Sequence, residues 1–304
     1  PGIMEHIERA GIHSGDSIAV YPAWNLSQSL TDQLVDFSRK LALALGVKGL
    51  VNIQYVIHEG KIYVIEANPR SSRTIPYISK VTGIPLVDLA VRAMLGERLR
   101  DMGYGTGLAA PAAYHAVKVP VFSFEKLGGV DTQLGPEMKS TGEVLGIAPT
   151  MEEALYKGLI AAGYRIRTDK GLLVTVRDSD KGEIAPIAAA FAALGCPLYA
   201  TEGTAAVLRE AGLEVKTVKK IHEAKENTMT LLESGTVGCI LSTSAKGRIP
   251  ARDSVKLRRK AVELGIPCLT ALDTAAALAS ILARHFRQED MAPVDIAQIL
   301  PAKK

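Results

Sequence analysis

Residues 49 to 74 read GLVNIQYVIHEGKIYVIEANPRSSRT, and two apolar alternating runs, Leu50 to Ile57 and Lys61 to Glu66, flank His58-Glu59-Gly60. This is the pattern of a β-hairpin with a short turn. Side chains two apart on a strand share a face, so Asn52 and Gln54 lie together on the first strand. Glu66 and Asn68 leave the second strand on a common side, and Arg70 follows. One carboxylate, amides and a guanidinium thus converge where two paired strands end. Hard cations such as Mg²⁺ take oxygens from carboxylates and amide carbonyls, while arginine grips phosphate oxygens in a fork. A solvent-exposed hairpin with a polar face and an Asn-Pro turn is the plainer alternative. It leaves unexplained the amide of Gln54 within an otherwise apolar strand.

The pattern N-x-Q at 52 to 54, followed by E-x-N-P-R at 66 to 70, resembles the metal and phosphate end of an ATP-grasp domain. With GIHSGDS at 11 to 17, the chain is similar to the second synthetase half of the carbamoyl-phosphate synthetase large subunit, and the resemblance runs over essentially the whole sequence. Taken alone, the 11 to 17 loop is also ordinary turn chemistry. The resemblance implies that Gly11, Ile12, His13 and Ser14, with Gln54 and Glu66, line an ATP site. Gln54, Glu66 and Asn68 would hold Mg²⁺ or Mn²⁺, and Arg70 would act catalytically on the phosphoryl group or carbamate. Glu8, Asp16 and Thr270 are the possible ornithine contacts. A strand Glu that the family uses for ornithine corresponds to Val119, a departure that argues against ornithine activation.

The 304 residues suffice for two domains, and 47% hydrophobic with 22% charged residues is an ordinary globular balance. A net charge of +4 with scattered Lys and Arg suits phosphorylated small ligands and gives no nucleic-acid footprint. Cys196, Cys239 and Cys268 have neither disulfide nor metal spacing, so buried thiols in a reducing cytoplasm are expected. The longest apolar run, 184 to 200, contains Pro186, Gly195 and Pro197 and is too short for a membrane span, which takes roughly 20 residues. The chain opens at Pro1 without Met or a leader, which suggests the C-terminal portion of a longer protein. An ATP-grasp site needs a preceding small domain to cover the adenine and triphosphate, and that wall is expected upstream of Pro1.

In order, helices are expected at Met4 to Ala10, Thr31 to Leu45 and Val87 to Leu95. By resemblance the ATP-grasp part closes near Gly96. Residues 97 to 163 look less regular, with a strand at Tyr114 to Phe124 and a polar loop at 134 to 146. From Lys170 strands and helices alternate. Strands are expected near 172 to 178, 196 to 201, 213 to 219, 237 to 243 and 267 to 272, with helices between them and after the last. Near-continuous apolar strands between helices mean a parallel sheet covered on both faces. The expected fold class is therefore α/β: a partial ATP-grasp domain (α+β, residues 1–96), a remainder and linker (97–163), and a doubly wound parallel-sheet domain (164–304).

Ligands of such sheets gather outside the carboxyl ends of the strands. Those ends supply Thr175, with Asp178 and Lys181 beyond it, then Thr201-Glu202-Gly203-Thr204, Lys219-Lys220, the 242 to 248 loop and Thr270. TEGT, where a strand passes into a helix, offers hydroxyls and free N–H groups to an anion. This half resembles the methylglyoxal-synthase-like domain. The resemblance implies that Thr175, Lys181, Thr201, Thr204, Lys220, Thr243 and Arg248 contact a nucleotide monophosphate, UMP or IMP. Ser242 stands where the family has Asn. A phosphate-eliminating enzyme needs a catalytic carboxylate beside that pocket. The STSAKGR loop has none, and Asp253 lies further on, so binding is favoured over catalysis. The whole then reads as the C-terminal part of a glutamine-hydrolysing, ATP-dependent ligase, expected to be inactive alone. Its implied partners are the N-terminal remainder of the large subunit and a glutaminase small subunit, with neither nucleic acid nor membrane. A stand-alone nucleotide-binding regulatory module and a methylglyoxal-synthase-type enzyme are the alternatives.

Overall fold

The computed structural model describes residues 1–127, 130–165, 167–243 and 253–299. The first sheet joins β1 (Glu5–His6), β2 (Ala19–Tyr21), β5 (His115–Val121) and β6 (Gly142–Ala148) in that order, every pair antiparallel. Its strands come from both sides of position 96. The stretch expected as a helix at Met4 to Ala10 instead enters this sheet, Glu5 pairing with Val20 and His6 with Ala19. A helix that short is not self-supporting, and the ladder offered by β2 outweighs its local periodicity.

Between β2 and β5 lie α1 (Gln28–Ala44), β3 (Asn52–His58), β4 (Lys61–Asn68), α2 (Thr74–Thr82) and α3 (Leu86–Met94). Helix α1 starts before Thr31, because the Ser27 hydroxyl accepts the Leu30 N–H and caps it. Helix α2 was not legible, since Pro76 reads as a breaker. It stands in the first turn, where a missing N–H costs nothing. The 134 to 146 loop is likewise shorter than expected, because residues from Gly142 pair as β6. Helix α4 (Met151–Ala161) then crosses that sheet so closely that a Cβ on Gly146 would fall 1.9 Å from the Ala154 carbonyl oxygen. Two glycines, Gly146 and Gly158, make that crossing possible.

The second sheet is parallel throughout, ordered β11-β10-β7-β8-β9, from β7 (Gly171–Thr175), β8 (Leu198–Thr201), β9 (Lys216–Val218), β10 (Val237–Ser242) and β11 (Cys268–Leu269). Its helices are α5 (Lys181–Ala193), α6 (Glu202–Glu210), α7 (Thr228–Glu233), α8 (Asp253–Glu263) and α9 (Leu272–Leu282). Leu173, Ile240 and Leu241 are fully buried at its centre, each worth roughly 1.5–3 kcal/mol of apolar burial. The chain leaves β7 one way to β8 and β9, and the other way to β10 and β11. The β7/β10 junction is therefore the switch point, where the crevice of such folds lies. One apolar core runs from Ile18, Val20 and Val117 of the first sheet through Leu155 and Leu159 of α4 to Phe191 and Leu278. The two sheets are thus joined by packing as well as by chain.

Among the described residues, no helix is long and apolar enough to cross a membrane. The three cysteines are free thiols, and burial pushes Cys268 up to about 12 and Cys239 higher.

Candidate functional site

The hairpin register pairs Asn52 with Asn68 and Gln54 with Glu66, and a bulge follows at Tyr55. Glu59 and Gly60 both take positive φ, 50° and 73°, as a tight hairpin turn of this hand requires. Gln54 Nε2 donates to Glu66 Oε1 at 2.7 Å and to Ser14 Oγ at 3.0 Å. Asn68 Nδ2 donates to the same carboxylate oxygen at 2.9 Å, and Arg70 Nη2 reaches Asn68 Oδ1 at 3.4 Å. Ser14, Gln54, Glu66, Asn68 and Arg70 therefore form one connected run. No cluster of three or more His, Cys, Asp or Glu occurs among the described residues. A lone carboxylate flanked by amides nevertheless suits Mg²⁺ or Mn²⁺, since such ions take one or two carboxylates and fill their remaining positions with water and phosphate oxygens.

The 11 to 17 loop is held from below. His13 Nδ1 accepts the Gly15 N–H at 3.0 Å, and Lys118 Nζ, almost wholly buried, donates to the Ser14 carbonyl at 3.0 Å. Gly11 takes a φ of 112°, which lets the chain turn ahead of Ile12. Asp16 is fully buried, and its carboxylate accepts the N–H groups of Lys139 and Ser140, each at 2.8 Å.

The other possible ornithine contacts are similarly engaged. Glu8 accepts from the Thr274 hydroxyl at 2.8 Å and the Ile18 N–H at 2.7 Å, and burial raises its pKa to about 7. Thr270 accepts the Leu134 N–H at 3.4 Å. Glu8, Asp16 and Thr270 are each partnered by the protein itself. Val119 is fully buried and packs so tightly on α4 that a Cβ at Gly158 would lie 2.7 Å from its Cγ2.

At the carboxyl ends of the parallel strands lies a cavity of about 450 Å³ lined by Thr175, Thr201, Lys220, His222, Thr228, Asp253, Ser254 and Leu257. Thr201 Oγ1 and Thr175 Oγ1 stand 3.5 Å apart at its floor. Thr243 closes the switch point, its N–H donating to the Thr175 carbonyl and its hydroxyl accepting the Arg177 N–H, both at 3.1 Å. Thr204 is buried and accepts the Val176 N–H at 3.4 Å, so it ties α6 to the strand end. Lys181 Nζ binds Asp178 at 2.7 Å and lies 3.0 Å from where a Cβ on Gly203 would stand, across the N-terminus of α6. Arg248 falls outside the described residues.

Sequence reading missed His222, Thr228, Asp253 and Ser254. Asp253 corrects the expectation that it lies too far along the next helix to stand beside this pocket. It is the first residue of α8, lines the cavity and meets His222 Nδ1 at 2.8 Å. The only sequence signal was a histidine just past the Lys219-Lys220 strand end.

Comparison with known proteins gives matching results for the two halves. Residues 2–102 match the family model "Carbamoyl-phosphate synthase L chain, ATP binding domain", and residues 183–270 match "MGS-like domain". The carbamoyl phosphate synthase large chain of Lachnoclostridium phytofermentans is 52% identical over 299 residues, 98% of this chain and 28% of that protein. Its counterpart from Clostridium botulinum strain Kyoto is 47% identical over 298 residues, with the same coverage. The chain thus spans little more than a quarter of the curated relatives that it matches. Among solved structures, the biotin carboxylase domain of a single-chain bacterial carboxylase is 28% identical with a TM-score of 0.33, over 38% of this chain and 27% of that one.

Proposed function

On the premise that both matched segments belong to the carbamoyl-phosphate synthase large-chain family, we propose that this chain is the C-terminal part of such a subunit, joining one wall of an ATP-dependent phosphorylation site to a nucleotide-monophosphate-binding regulatory unit. The connected run Ser14–Gln54–Glu66–Asn68–Arg70 inside the ATP-binding match carries the reading. The reaction is MgATP-dependent phosphorylation of carbamate to carbamoyl phosphate within a glutamine-hydrolysing ligase. Such transfer asks for positioning and charge neutralisation more than covalent help. Gln54, Glu66 and Asn68 would hold Mg²⁺ or Mn²⁺, which would neutralise phosphate charge. Arg70 steadies the transferring phosphoryl group or carbamate, and His13 and Ser14, with Gly11 and Ile12, face the nucleotide. Residues 1–96 supply this wall and 97–163 brace it. Residues 164–304 bind UMP or IMP through Thr175, Lys181, Thr201, Thr204, Lys220, Thr243 and Arg248.

The remainder of the large subunit and a glutaminase subunit are the partners, and the setting is cytoplasmic. The 304-residue chain alone makes no carbamoyl phosphate, and measurable synthesis by it would overturn this division of labour. In the complete enzyme, Glu66→Ala abolishes ATP turnover without unfolding the protein, and near-normal turnover would sink the assignment.

A second reading, phosphate elimination from a triose phosphate, draws support from Asp253 and His222 at the cavity. Incubation with dihydroxyacetone phosphate separates the two: release of inorganic phosphate would favour the enzyme, and its absence favours the regulatory unit.

A further inference from the structure

The strand-end cavity and the hairpin cluster are connected by one strand of loop, residues 130–141, tied at both ends by buried groups. Helix α8 begins in the cavity, with Asp253, Ser254 and Leu257 on its lining. The next residue, Arg258, is fully buried, and its guanidinium grips Asp131 with two bonds, Nε to Oδ1 at 2.7 Å and Nη2 to Oδ2 at 2.8 Å. Arg259 adds a tie to the Phe124 and Val130 carbonyls at 3.2 and 3.3 Å. From there Lys139 folds back over the loop, its ammonium donating to the Asp131 carbonyl at 2.7 Å and to that of Gln133. The Lys139 and Ser140 N–H groups then end on the buried Asp16 carboxylate. Ser140 Oγ donates to the Gly15 carbonyl at 2.9 Å, and the His13 N–H to that of Gly135 at 2.8 Å. Ser14, beside them, carries the hydroxyl that Gln54 engages.

We propose that residues 130–141 act as a strap that couples the two sites, with Arg258, Asp131 and Lys139 as positioning residues that fix the 12–17 loop according to what the strand-end cavity holds. Three features support this. The Arg258–Asp131 pair is bidentate and shielded, so it holds one geometry and transmits displacement of α8 rather than absorbing it. Charged groups anchor the strap at each end, Arg258 with Asp131 and Lys139 at one and the Asp16 carboxylate at the other, and Asp16 has its two oxygens committed to the strap. Finally, Arg258, which grips the strap, directly follows the lining residue Leu257, so an anion that draws the start of α8 towards Lys220 or Thr201 moves Arg258 with it. The proposal rests on the reading that the cavity binds a nucleoside monophosphate.

Hydrogen exchange of the 304-residue chain, with and without saturating UMP as the probe, tests the coupling in wild type, Asp131→Asn and Lys139→Met. Lys139→Met leaves the buried pair intact and guards against misfolding of Asp131→Asn, and unchanged exchange at Val174 and Leu241 verifies the fold. In wild type, UMP slows exchange at 201–204 and changes that of 12–17 by about tenfold. In both variants the 201–204 protection persists while the 12–17 response is lost. A response at 12–17 that survives in the variants, or that is missing in wild type while 201–204 is protected, overturns the strap. If UMP protects neither segment, the cavity reading falls, and the ligand-free comparison still decides the strap. There, Asp131→Asn speeds exchange at 12–17 by about tenfold, and an unchanged rate refutes the coupling.

Discussion

The two candidate sites use similar side chains on very different supports. The hairpin cluster stands on a two-stranded sheet whose second strand is exposed over Tyr63, Val64 and Ile65. The strand-end cavity stands on five parallel strands whose central residues are fully buried. At the hairpin, positioning comes from side chains holding one another, Gln54 to Glu66 to Asn68, and from the 12–17 loop behind them. At the cavity, backbone and hydroxyls do that work, with Thr243, Thr175 and Thr204 locking the strand ends. A site of the first kind depends on its neighbours, and one of the second kind is preorganised by its own sheet. On the proposed reading, this contrast is why the chemistry would need the rest of a larger subunit, whereas ligand binding at the cavity would not.

The largest effect expected from this contrast is at Glu66. In the complete enzyme Glu66→Ala lowers ATP turnover by at least ~10²–10³-fold, while the unfolding midpoint stays within the spread of surface substitutions. A large midpoint shift would show that the cluster is a scaffold rather than a site.

The packed join between the units is expected to respond to pH through Glu8. Burial raises Glu8 from its usual 4.5 to about 7, so the folded state holds a proton that the unfolded state has lost. That contribution is fully present below pH ~4.5 and disappears as pH rises through ~7, an amount on the order of 3 kcal/mol. Glu8→Gln should flatten the urea-measured stability profile across that window, and an unchanged slope would assign the pH dependence elsewhere. Close packing on the first sheet gives the next effect. Gly146→Ala forces a Cβ into the Ala154 carbonyl and costs about 2–3 kcal/mol in denaturant unfolding. The smallest change is at the cavity edge. Lys220→Ala weakens binding of a nucleoside monophosphate by about tenfold and leaves ATP chemistry without effector intact.

Much of the contrast was legible in sequence. Alternation around Asn52 to Asn68 gave both the hairpin and the shared face of Gln54 and Glu66, because a strand's period assigns faces without tertiary knowledge. Near-continuous apolar runs marked the parallel strands for the same local reason. Strand β1 escaped notice because its partner, Ala19–Val20, matters more than its own pattern. Helices α2 and α4 were hidden by Pro76 and by glycines that serve the packing of α4 on the sheet. His222 and Asp253 stand 31 residues apart and meet only through the fold, as do Asp131 and Arg258 across 127. Long-range polar pairs leave no periodic trace, so the buried partners of Glu8 and Asp16 were equally invisible.

Calorimetric titration of UMP and IMP into the 304-residue chain tests the central claim most directly, that one site is complete in itself while the other is a single wall. The account predicts saturable binding of at least one of them at one site per chain, weakened by Lys220→Ala and indifferent to Glu66→Ala. Absence of binding by both nucleotides, or binding lost with Glu66→Ala and kept with Lys220→Ala, would contradict it.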